Sequence, residues 1–303
     1  MGIVSAREVA KVMNLRKFGF LGDSIGWMIL KTTKLSRINR EYDKRKNLNG
    51  IDFIDSILNE FEIDFDIPEK DLKRIPKDGS FITVSNHPLG GIDGMILMKL
   101  VLEKRPDYKV IANFLLHRLD PLRPYILPVN PFEDHKDAKS SLGGMKRSIA
   151  HIKAGNALGI FPAGEVSTSK DKHLIVDKPW EPSAMKLIQK SKVPVLPIYF
   201  HAKNSVFFYR LASMSDVLRT AKLPSEMLSQ KRRKIKVRIG HPISVEDQKE
   251  HTNLEAYTAF LRRKTYMLAN VFEKKNLLSK LPRTLKIPRS PKDVAEETNS
   301  ELM

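Results

Sequence analysis

The sequence has no cysteine in its 303 residues. This absence excludes disulfide bonds, thiolate nucleophiles and cysteine-ligated metal clusters. The eight histidines are scattered without ligand-type spacing, so we expect no metal site. Long apolar stretches are also missing, because no uninterrupted run reaches the roughly 18–20 residues that a membrane-crossing helix requires. We therefore expect no transmembrane span.

Acidic residues are few relative to basic ones: 35 Asp and Glu face 53 Lys and Arg, which gives a formal net charge of +18. Such a chain is expected to bind polyanions, whether nucleic acid, anionic lipid or an acidic carrier protein. The cations are spread along the chain and no nucleic-acid-binding module is visible, which favours an anionic membrane surface and no nucleic acid. The alternative is a soluble protein with a solvated basic face. We expect no signal peptide and predict a peripheral, monotopic protein on the cytoplasmic face of the inner or plasma membrane.

Residues 1–65 are predicted to form an N-terminal helical, membrane-associating segment. Residues 18–30 are apolar but short, and they contain Trp27. Four cations flank this stretch: Arg16, Lys17, Lys31 and Lys34. Aromatic and basic residues in this arrangement are typical of a membrane interface. The alternative is an ordinary helix that packs on the rest of the protein.

Strand and helix signals alternate between residues 66 and 275, and we predict that these residues form one domain. The predicted strands are 81–84, 108–114, 157–161, 193–200 and 234–239. The predicted helices include 51–61, 141–154, 182–189 and 245–275. This alternation predicts an α/β fold with a mixed, mostly parallel central sheet covered by helices. Residues 276–303 contain proline breaks and predict a weakly ordered basic and polar tail.

The most informative stretch is residues 80–93, SFITVSNHPLGGID. A strand ends at His87-Pro88, the chain turns through Gly90-Gly91, and Asp93 stands at a predicted helix N-cap. Histidine is the usual general base near neutral pH, and a carboxylate beside its other ring nitrogen fixes the tautomer and stabilises the imidazolium. The alternative is that His87 caps a turn and Asp93 only caps a helix.

Four blocks of the sequence together resemble the glycerolipid acyltransferase family, which includes lysophosphatidate acyltransferases. Asn86-His87 followed by Asp93 is similar to the family's NHxxxxD motif. The other blocks follow in the family's order: 125–129 (YILPV), 159–167 (GIFPAGEVS, similar to the phosphate-binding FPEGTRS) and 193–198 (VPVLPI). The resemblance implies a glycerol-3-phosphate acyltransferase-like fold.

The sequence also departs from the family pattern. His87 and Asp93 have five residues between them where the family usually has four, and the Gly-Gly turn can absorb the extra residue. Ala163 stands where the family usually has glutamate, Val166 stands where it usually has arginine, and the second block lacks its usual arginine. This variant is similar to a hemolysin-like bacterial subgroup that includes O-acyltransferases of amino-acid lipids.

The resemblance implies a membrane-associated O-acyltransferase of lipid biosynthesis. It would transfer a fatty acyl group from an acyl-carrier protein or CoA thioester to a hydroxyl of a lyso-lipid, with His87 as the base, Asp93 as its partner and no cofactor. The altered third block leaves a non-enzymatic alternative, a basic peripheral membrane protein with a decayed acyltransferase fold.

Substrate-binding residues are expected around the two turns. They are Asn86, Gly90, Gly91, Phe161, Pro162, Gly164, Glu165, Ser167, Lys170 and Lys172. Backbone N–H groups near Gly164 or the Gly90-Gly91 turn are candidates for an oxyanion site. Glu165 would repel a phosphate unless Lys170 or Lys172 intervenes, so we expect no strong preference for lysophosphatidate over an amino-acid or zwitterionic head.

A run of three aromatic residues at 207–209 (FFY) has two interpretations. It would suit the lining of an acyl tunnel, but aromatic runs are more often part of the core. We therefore predict that these side chains are buried.

Overall fold

The computed structural model describes residues 34–113, 116–129, 138–171, 174–214, 216–231 and 233–271. Its helices are α1 Leu35–Arg45, α2 Gly50–Glu60, α3 Glu69–Leu72, α4 Gly91–Leu102, α5 Ala138–Lys153, α6 Pro182–Ser191, α7 Val206–Met214, α8 Asp216–Ser229, α9 Val245–Lys249 and α10 Leu254–Met267. Its strands are β1 Asp64–Asp66, β2 Ile82–Ser85, β3 Lys109–Asn113, β4 Ile126–Val129, β5 Leu158–Ile160, β6 Thr168–Asp171, β7 Leu174–Val176, β8 Val195–His201 and β9 Lys234–Ile239. Short 3₁₀ helices occupy Leu116–Arg118, Asp120–Tyr125 and Leu268–Val271.

A sheet in the order β1-β9-β8-β2-β5-β3-β4 forms the centre of the fold. Its neighbouring strands are parallel except at the antiparallel pair of β8 and β9. Strands β6 and β7 form a separate antiparallel hairpin. The predicted mixed, mostly parallel sheet is therefore confirmed.

Helices cover both faces of this sheet, and the alternation of side chains along β2 explains how. Phe81, just before β2, belongs to the cluster that includes α2 and α4, whereas Ile82 and Val84 belong to the cluster with α6 and α10. Successive strand residues point to opposite faces, so a strand with helices on both sides is buried along its whole length, as all four residues of β2 are. Helix α4 is correspondingly apolar on most of its surface.

Gly159, in the third motif block, is required because the side chain of Tyr108 packs directly against it. The buried hydroxyl of Tyr108 lies 2.6 Å from Thr83 Oγ1. A Cβ atom at position 159 would lie only 2.1 Å from that hydroxyl oxygen. Any larger residue would therefore displace Tyr108 and separate the hydroxyl from β2.

One helix prediction was wrong in its continuity. Residues 245–275 were expected to form a single helix, but the structure has α9 and α10 with a break between them. The break has two local causes, because Ser244 accepts from Asp247 N and caps α9, and Asn253 accepts from Glu255 N and caps α10. Such side chains favour helix starts over helix interiors. Residues 272–275 lie outside the described ranges.

The predicted N-terminal segment is only partly described. Helices α1 and α2 bury Tyr42 and Phe53 in the core cluster beneath the sheet. Residues 1–33 and the predicted tail 276–303 lie outside the described residues, so the membrane-associating role and the weak order of the tail stay predictions. No helix in the described ranges combines the length and apolar character needed to cross a membrane.

A buried ionic cluster holds α3 against β9, the strand next to the edge strand β1. Asp71 is fully buried, and its Oδ2 accepts from Arg238 Nε at 2.6 Å and from Ile239 N at 3.1 Å. Its Oδ1 lies 3.1 Å from Arg74 Nη1. Removing one partner of a buried pair leaves the other charge uncompensated, so this cluster is expected to be sensitive to substitution.

Asp71→Ala should lower the free energy of unfolding by about 3–5 kcal/mol, since Arg238 would remain buried without its carboxylate. Glu69→Ala is the matched control, because Glu69 lies in the same helix and pairs with Lys73 at 3.1 Å on the exposed surface. That change should alter stability by less than about 1 kcal/mol. Urea unfolding of both variants makes the comparison, and equal losses would contradict it.

Candidate active site

The topology brings the turns of the first and third motif blocks to one edge of the sheet and places the fourth block alongside the strand of the first. Strand β2 lies between β5 and β8 and is parallel to both. The turn after β2 carries His87, the third block begins in β5 and continues into the turn after it, and the fourth block leads into β8 and forms its first residues. Carboxyl ends of parallel strands meet at one edge, where α/β folds place their sites.

His87 and Asp93 form the centre of this site. His87 Nδ1 lies 3.2 Å from Asp93 Oδ2. The same oxygen accepts from Leu89 N at 2.7 Å and from Gly90 N at 3.0 Å. One carboxylate therefore both accepts from the backbone of the turn and faces the histidine.

The expected N-cap assignment of Asp93 was wrong. Gly90 is the N-cap of α4, with φ 79°, and Asp93 is the third residue of the helix. A positive φ is readily adopted by glycine, which allows the helix to begin directly after the turn. From that third position a carboxylate can reach back to the N-cap N–H, as in a capping box.

The environment of Asp93 is electrostatically unusual. Its side chain is fully buried, and burial raises the pKa of the carboxyl, while His87 and the N–H groups of Leu89 and Gly90 oppose this rise. Its Oδ1 has no hydrogen-bond donor among the described residues. A carboxylate in a buried site stabilises a positive charge on its neighbour more strongly than a solvated one.

The ring of His87 is held between Asp93 and Phe161. The ring centroids of His87 and Phe161 are 4.1 Å apart at an angle of 30°. Nδ1 is buried and faces Asp93, but its N–H is not aligned into a hydrogen bond, which is common before a substrate is bound. The side chain of His87 is 18% exposed. Nε2 is therefore the nitrogen left for an acceptor.

Sequence reasoning missed Asp177, which joins the first and third blocks. Its buried Oδ1 accepts from His87 N at 3.1 Å and from Ser167 Oγ at 2.6 Å. Its Oδ2 accepts from Trp180 Nε1 at 3.2 Å. Ser167 N in turn donates to His87 O at 2.9 Å. Asp177 lies just after β7 and outside the four motif blocks, so no motif marks it, and its contacts are visible only in the folded structure.

Two asparagines join the first block to β8 and its following loop. Asn86 donates through Nδ2 to Phe200 O at 3.0 Å and accepts through Oδ1 from Phe200 N at 2.7 Å. Asn204, which sequence reasoning also missed, donates through Nδ2 to Pro88 O at 2.9 Å. The predicted binding residue Asn86 thus has its amide directed to the backbone of β8.

The third block packs closely against the turn of the first. Val166 is buried, and a Cβ atom at Gly90 would lie 3.2 Å from Val166 Cγ2. Pro162 is buried and its carbonyl accepts from Glu181 N at 2.8 Å. Gly164 is exposed, with φ 68°, and its N–H donates to Phe161 O at 3.0 Å. By contrast, a Cβ atom at Gly91 would meet no heavy atom within 4 Å.

Glu165 is neutralised by two cations that the sequence did not indicate. Its Oε1 lies 2.8 Å from Lys178 Nζ, and its Oε2 pairs with Arg219 on α8. The side chain of Arg219 is 6% exposed, whereas those of Glu165 and Lys178 are 33% and 35% exposed. The side chain of Lys170 and the whole of Lys172 lie outside the described residues.

The second block is not adjacent to the histidine. Strand β4 is separated from β2 by β5 and β3 in the sheet order. A Cβ atom at Gly50 would lie 2.2 Å from the ring of Tyr125, so this block packs closely against α2. Within the described residues there is no group of three acidic or histidine side chains suited to a metal ion.

Comparison with known proteins identifies the family. The model of a family described as acyltransferase matches residues 14–275. The chain belongs to this acyltransferase family. The predicted membership of a glycerolipid acyltransferase family is thereby confirmed, and the protein is an enzyme of acyl transfer.

Two curated relatives of the acyltransferase are each named lyso-glycine lipid O-acyltransferase. The protein from Bacteroides thetaiotaomicron is 27% identical over 249 residues, which cover 80% of this chain and 88% of that protein. The protein from Phocaeicola vulgatus is 28% identical over 249 residues, with 80% and 86% covered. Among solved structures, the 1-acyl-sn-glycerophosphate acyltransferase PlsC from Thermotoga maritima superposes with a TM-score of 0.46 at 16% identity, over 89% of this chain and 96% of that one.

Asp93→Asn should slow acyl transfer without lowering the free energy of unfolding at pH 7. The neutral amide still accepts from Leu89 and Gly90 through its oxygen but carries no buried charge. Folding raises the pKa of Asp93 above its ordinary value of 3.8, so ionisation of this group lowers the free energy of unfolding as pH rises. Well below pH 3.8 the carboxyl is protonated in both the folded and the unfolded protein, and this loss of stability is absent. The stability of the variant relative to the unsubstituted protein should therefore be greater at pH 8 than at pH 4. Urea unfolding at both pH values tests this, and a variant weakest at pH 8 would contradict it.

Asp177→Asn should reduce kcat more than it changes KM, because the residue positions the turn that holds His87. It should also lower stability by about 1–3 kcal/mol, since the new NH₂ group would face Trp180 Nε1, another donor. In a Trp180→Phe background this conflict is absent, so the same substitution should be less damaging. A double-mutant cycle on urea unfolding and kcat measures the coupling, and strictly additive effects would contradict the assigned contact.

Proposed function

We propose that the enzyme acylates a hydroxyl of a lyso-lipid with an amino-acid head, using the thioester of an acyl-carrier protein or CoA. The observation that carries this proposal is the His87–Asp93 pair, with one imidazole nitrogen facing a fully buried carboxylate and the other left for an acceptor. The names of both curated relatives support the acceptor class.

In the proposed reaction, His87 Nε2 removes the proton of the acceptor hydroxyl. The oxygen attacks the thioester carbonyl, the C–S bond of the resulting tetrahedral intermediate breaks, and the imidazolium returns the proton to the leaving thiolate. Asp93 stabilises the imidazolium between these steps. The products are the O-acylated lipid and a free thiol, so no acyl-enzyme is required.

The oxyanion would be stabilised by backbone N–H groups at the start of α4. Of the turn candidates, Gly90 N already donates to Asp93 and Gly164 N already donates to Phe161 O. Gly91 is the first residue of α4, where N–H groups and the helix dipole favour a negative charge. The open space at Gly91 leaves room for the thioester beside it.

The charges around Glu165 support an acceptor head with less negative charge than a phosphate monoester. Buried Val166 occupies the position of the family's arginine, and Arg219 lies behind Glu165 rather than in solvent. Together Glu165, Lys178 and Arg219 carry one net positive charge. That charge is matched by one carboxylate of an amino-acid head, whereas a doubly charged phosphate would also meet Glu165.

The other predicted binding residues have different proposed tasks. Asn86 and Ser167 position the two turns, and Phe161 and Pro162 form the wall beside His87. Lys170 and Lys172 remain proposed headgroup contacts. We further propose that residues 66–275 are the acyltransferase domain and that the enzyme works at the cytoplasmic face of the membrane.

Purified enzyme given both acceptors with one acyl donor should not strongly favour lysophosphatidate over a lyso-amino-acid lipid. His87→Ala should lower the rate on either acceptor by roughly 10²–10⁴-fold, because the proton acceptor is lost, and Asp93→Asn should lower it less. Glu165→Gln should raise relative activity on lysophosphatidate, because Lys178 and Arg219 would lose the carboxylate that neutralises part of their charge. A lysophosphatidate rate tens of times higher and unaffected by Glu165→Gln would refute the acceptor assignment. A normal rate from His87→Ala would refute the mechanism.

A further inference from the structure

The start of α7 exposes two large apolar side chains side by side. Val206 is 70% exposed and Phe207 is 57% exposed, whereas the next residue, Phe208, is fully buried. The two other exposed large apolar residues of the described chain are Leu48 and Leu116, each 38% exposed. The prediction that residues 207–209 are all buried was therefore wrong for Phe207. Neighbouring exposed apolar residues of this size are more informative than single ones.

This exposed pair is held firmly to the catalytic turn. Asn204, two residues before Val206, donates to Pro88 O beside His87. Ser205 Oγ accepts from Phe208 N at 3.1 Å and so caps α7. Ser205 itself donates through N and Oγ to the two carboxylate oxygens of buried Glu226, at 2.7 and 2.8 Å. The apolar pair thus has a defined position relative to His87.

Basic residues surround the pair. Lys222 Nζ lies 5.4 Å from the ring centroid of Phe207. Lys203 and Arg210, on either side in sequence, are exposed. The buried carboxylate of Glu226 accepts from Ser205 Oγ and also lies 3.7 Å from Lys222 Nζ, so it offsets part of the positive charge of Lys222. An apolar tip with a cationic rim is complementary to an anionic lipid surface, where rings enter the interface and cations contact headgroups.

We propose that Val206 and Phe207, with the rim of Lys203, Arg210 and Lys222, form a docking tip that inserts into an anionic lipid surface. The tip would place the His87 turn at the membrane, where a lyso-lipid acceptor resides. This inference rests on the proposed function, because only a lipid acceptor requires the catalytic turn to lie at that surface. The cationic rim distinguishes this tip from an apolar contact with another protein, which needs no ring of one sign of charge.

Vesicle binding of the full chain tests the docking tip. The probes are vesicles of phosphatidylcholine alone and of phosphatidylcholine with phosphatidylglycerol. Val206→Ser combined with Phe207→Ser should weaken binding to the anionic vesicles by roughly tenfold. Leu48→Ser combined with Leu116→Ser is the matched control and should bind normally. Lys203→Glu should weaken binding to anionic vesicles at low salt and have little effect on binding to neutral ones.

Two results would overturn the docking tip. The first is normal vesicle binding by the tip variant; if its melting temperature were also lowered, the pair would instead pack against another segment of this chain. The second is a change of oligomeric state in the tip variant, which would identify the surface as a contact between copies.

A second readout separates this inference from the proposed function. Transfer to a short-chain, water-soluble lyso-acceptor requires no membrane, so the tip variant should retain the rate of the unsubstituted enzyme there and lose rate only on acceptor embedded in vesicles. Failure of the unsubstituted enzyme on every lyso-acceptor would refute the proposed function. Equal rates of the tip variant and the unsubstituted enzyme on embedded acceptor would refute the docking tip alone.

Discussion

The buried carboxylate of Asp93 is the constraint around which the site is built. A carboxyl group without solvent contact needs donors or a positive neighbour, and the chain supplies Leu89 N, Gly90 N and the ring of His87. To direct these groups at one oxygen, the chain turns through Gly90 with a positive φ and starts α4 directly afterwards. The turn that places His87 and the burial of Asp93 therefore have the same origin.

The rest of the site depends on how that turn is attached to its neighbours. Polar side chains connect it to both adjoining strands: Asn86 and Asn204 towards β8, and Asp177 with Ser167 towards the third block. These bonds are largely buried, where an unpaired partner is unfavourable, so each resists separation of the segments. The protein holds the His87 turn with directional contacts rather than with apolar packing alone, and this is the type of support that a preorganised site requires.

Cations from other segments of the chain compensate for the arginine that the third block lacks. Val166 packs against Gly90. An arginine at position 166 would have to follow a different path to reach solvent. Positive charge reaches the neighbouring Glu165 from Lys178 and from Arg219 of α8 instead. The block has therefore exchanged a cation of its own for two cations supplied by other segments. Helix α8 also contributes Leu223 beside Gly90, so the same helix contacts both the charged cluster around Glu165 and the His87 turn.

The sequence alone determined the sheet class, the strand that precedes His87 and the identity of the His–Asp pair, because β-branched runs, glycine turns and a short motif are local features. It misplaced the cap of α4, merged α9 with α10 and expected Phe207 to be buried, because these depend on side-chain hydrogen bonds and on neighbours distant in sequence. Only the tertiary structure decided that β2 lies between β5 and β8, and that Asp177, Asn204 and Arg219 reach the site. Asp, Asn and Arg are common surface residues, so no local pattern in the sequence marks these three. Their contribution to the site arises from contacts between segments that are distant in the sequence.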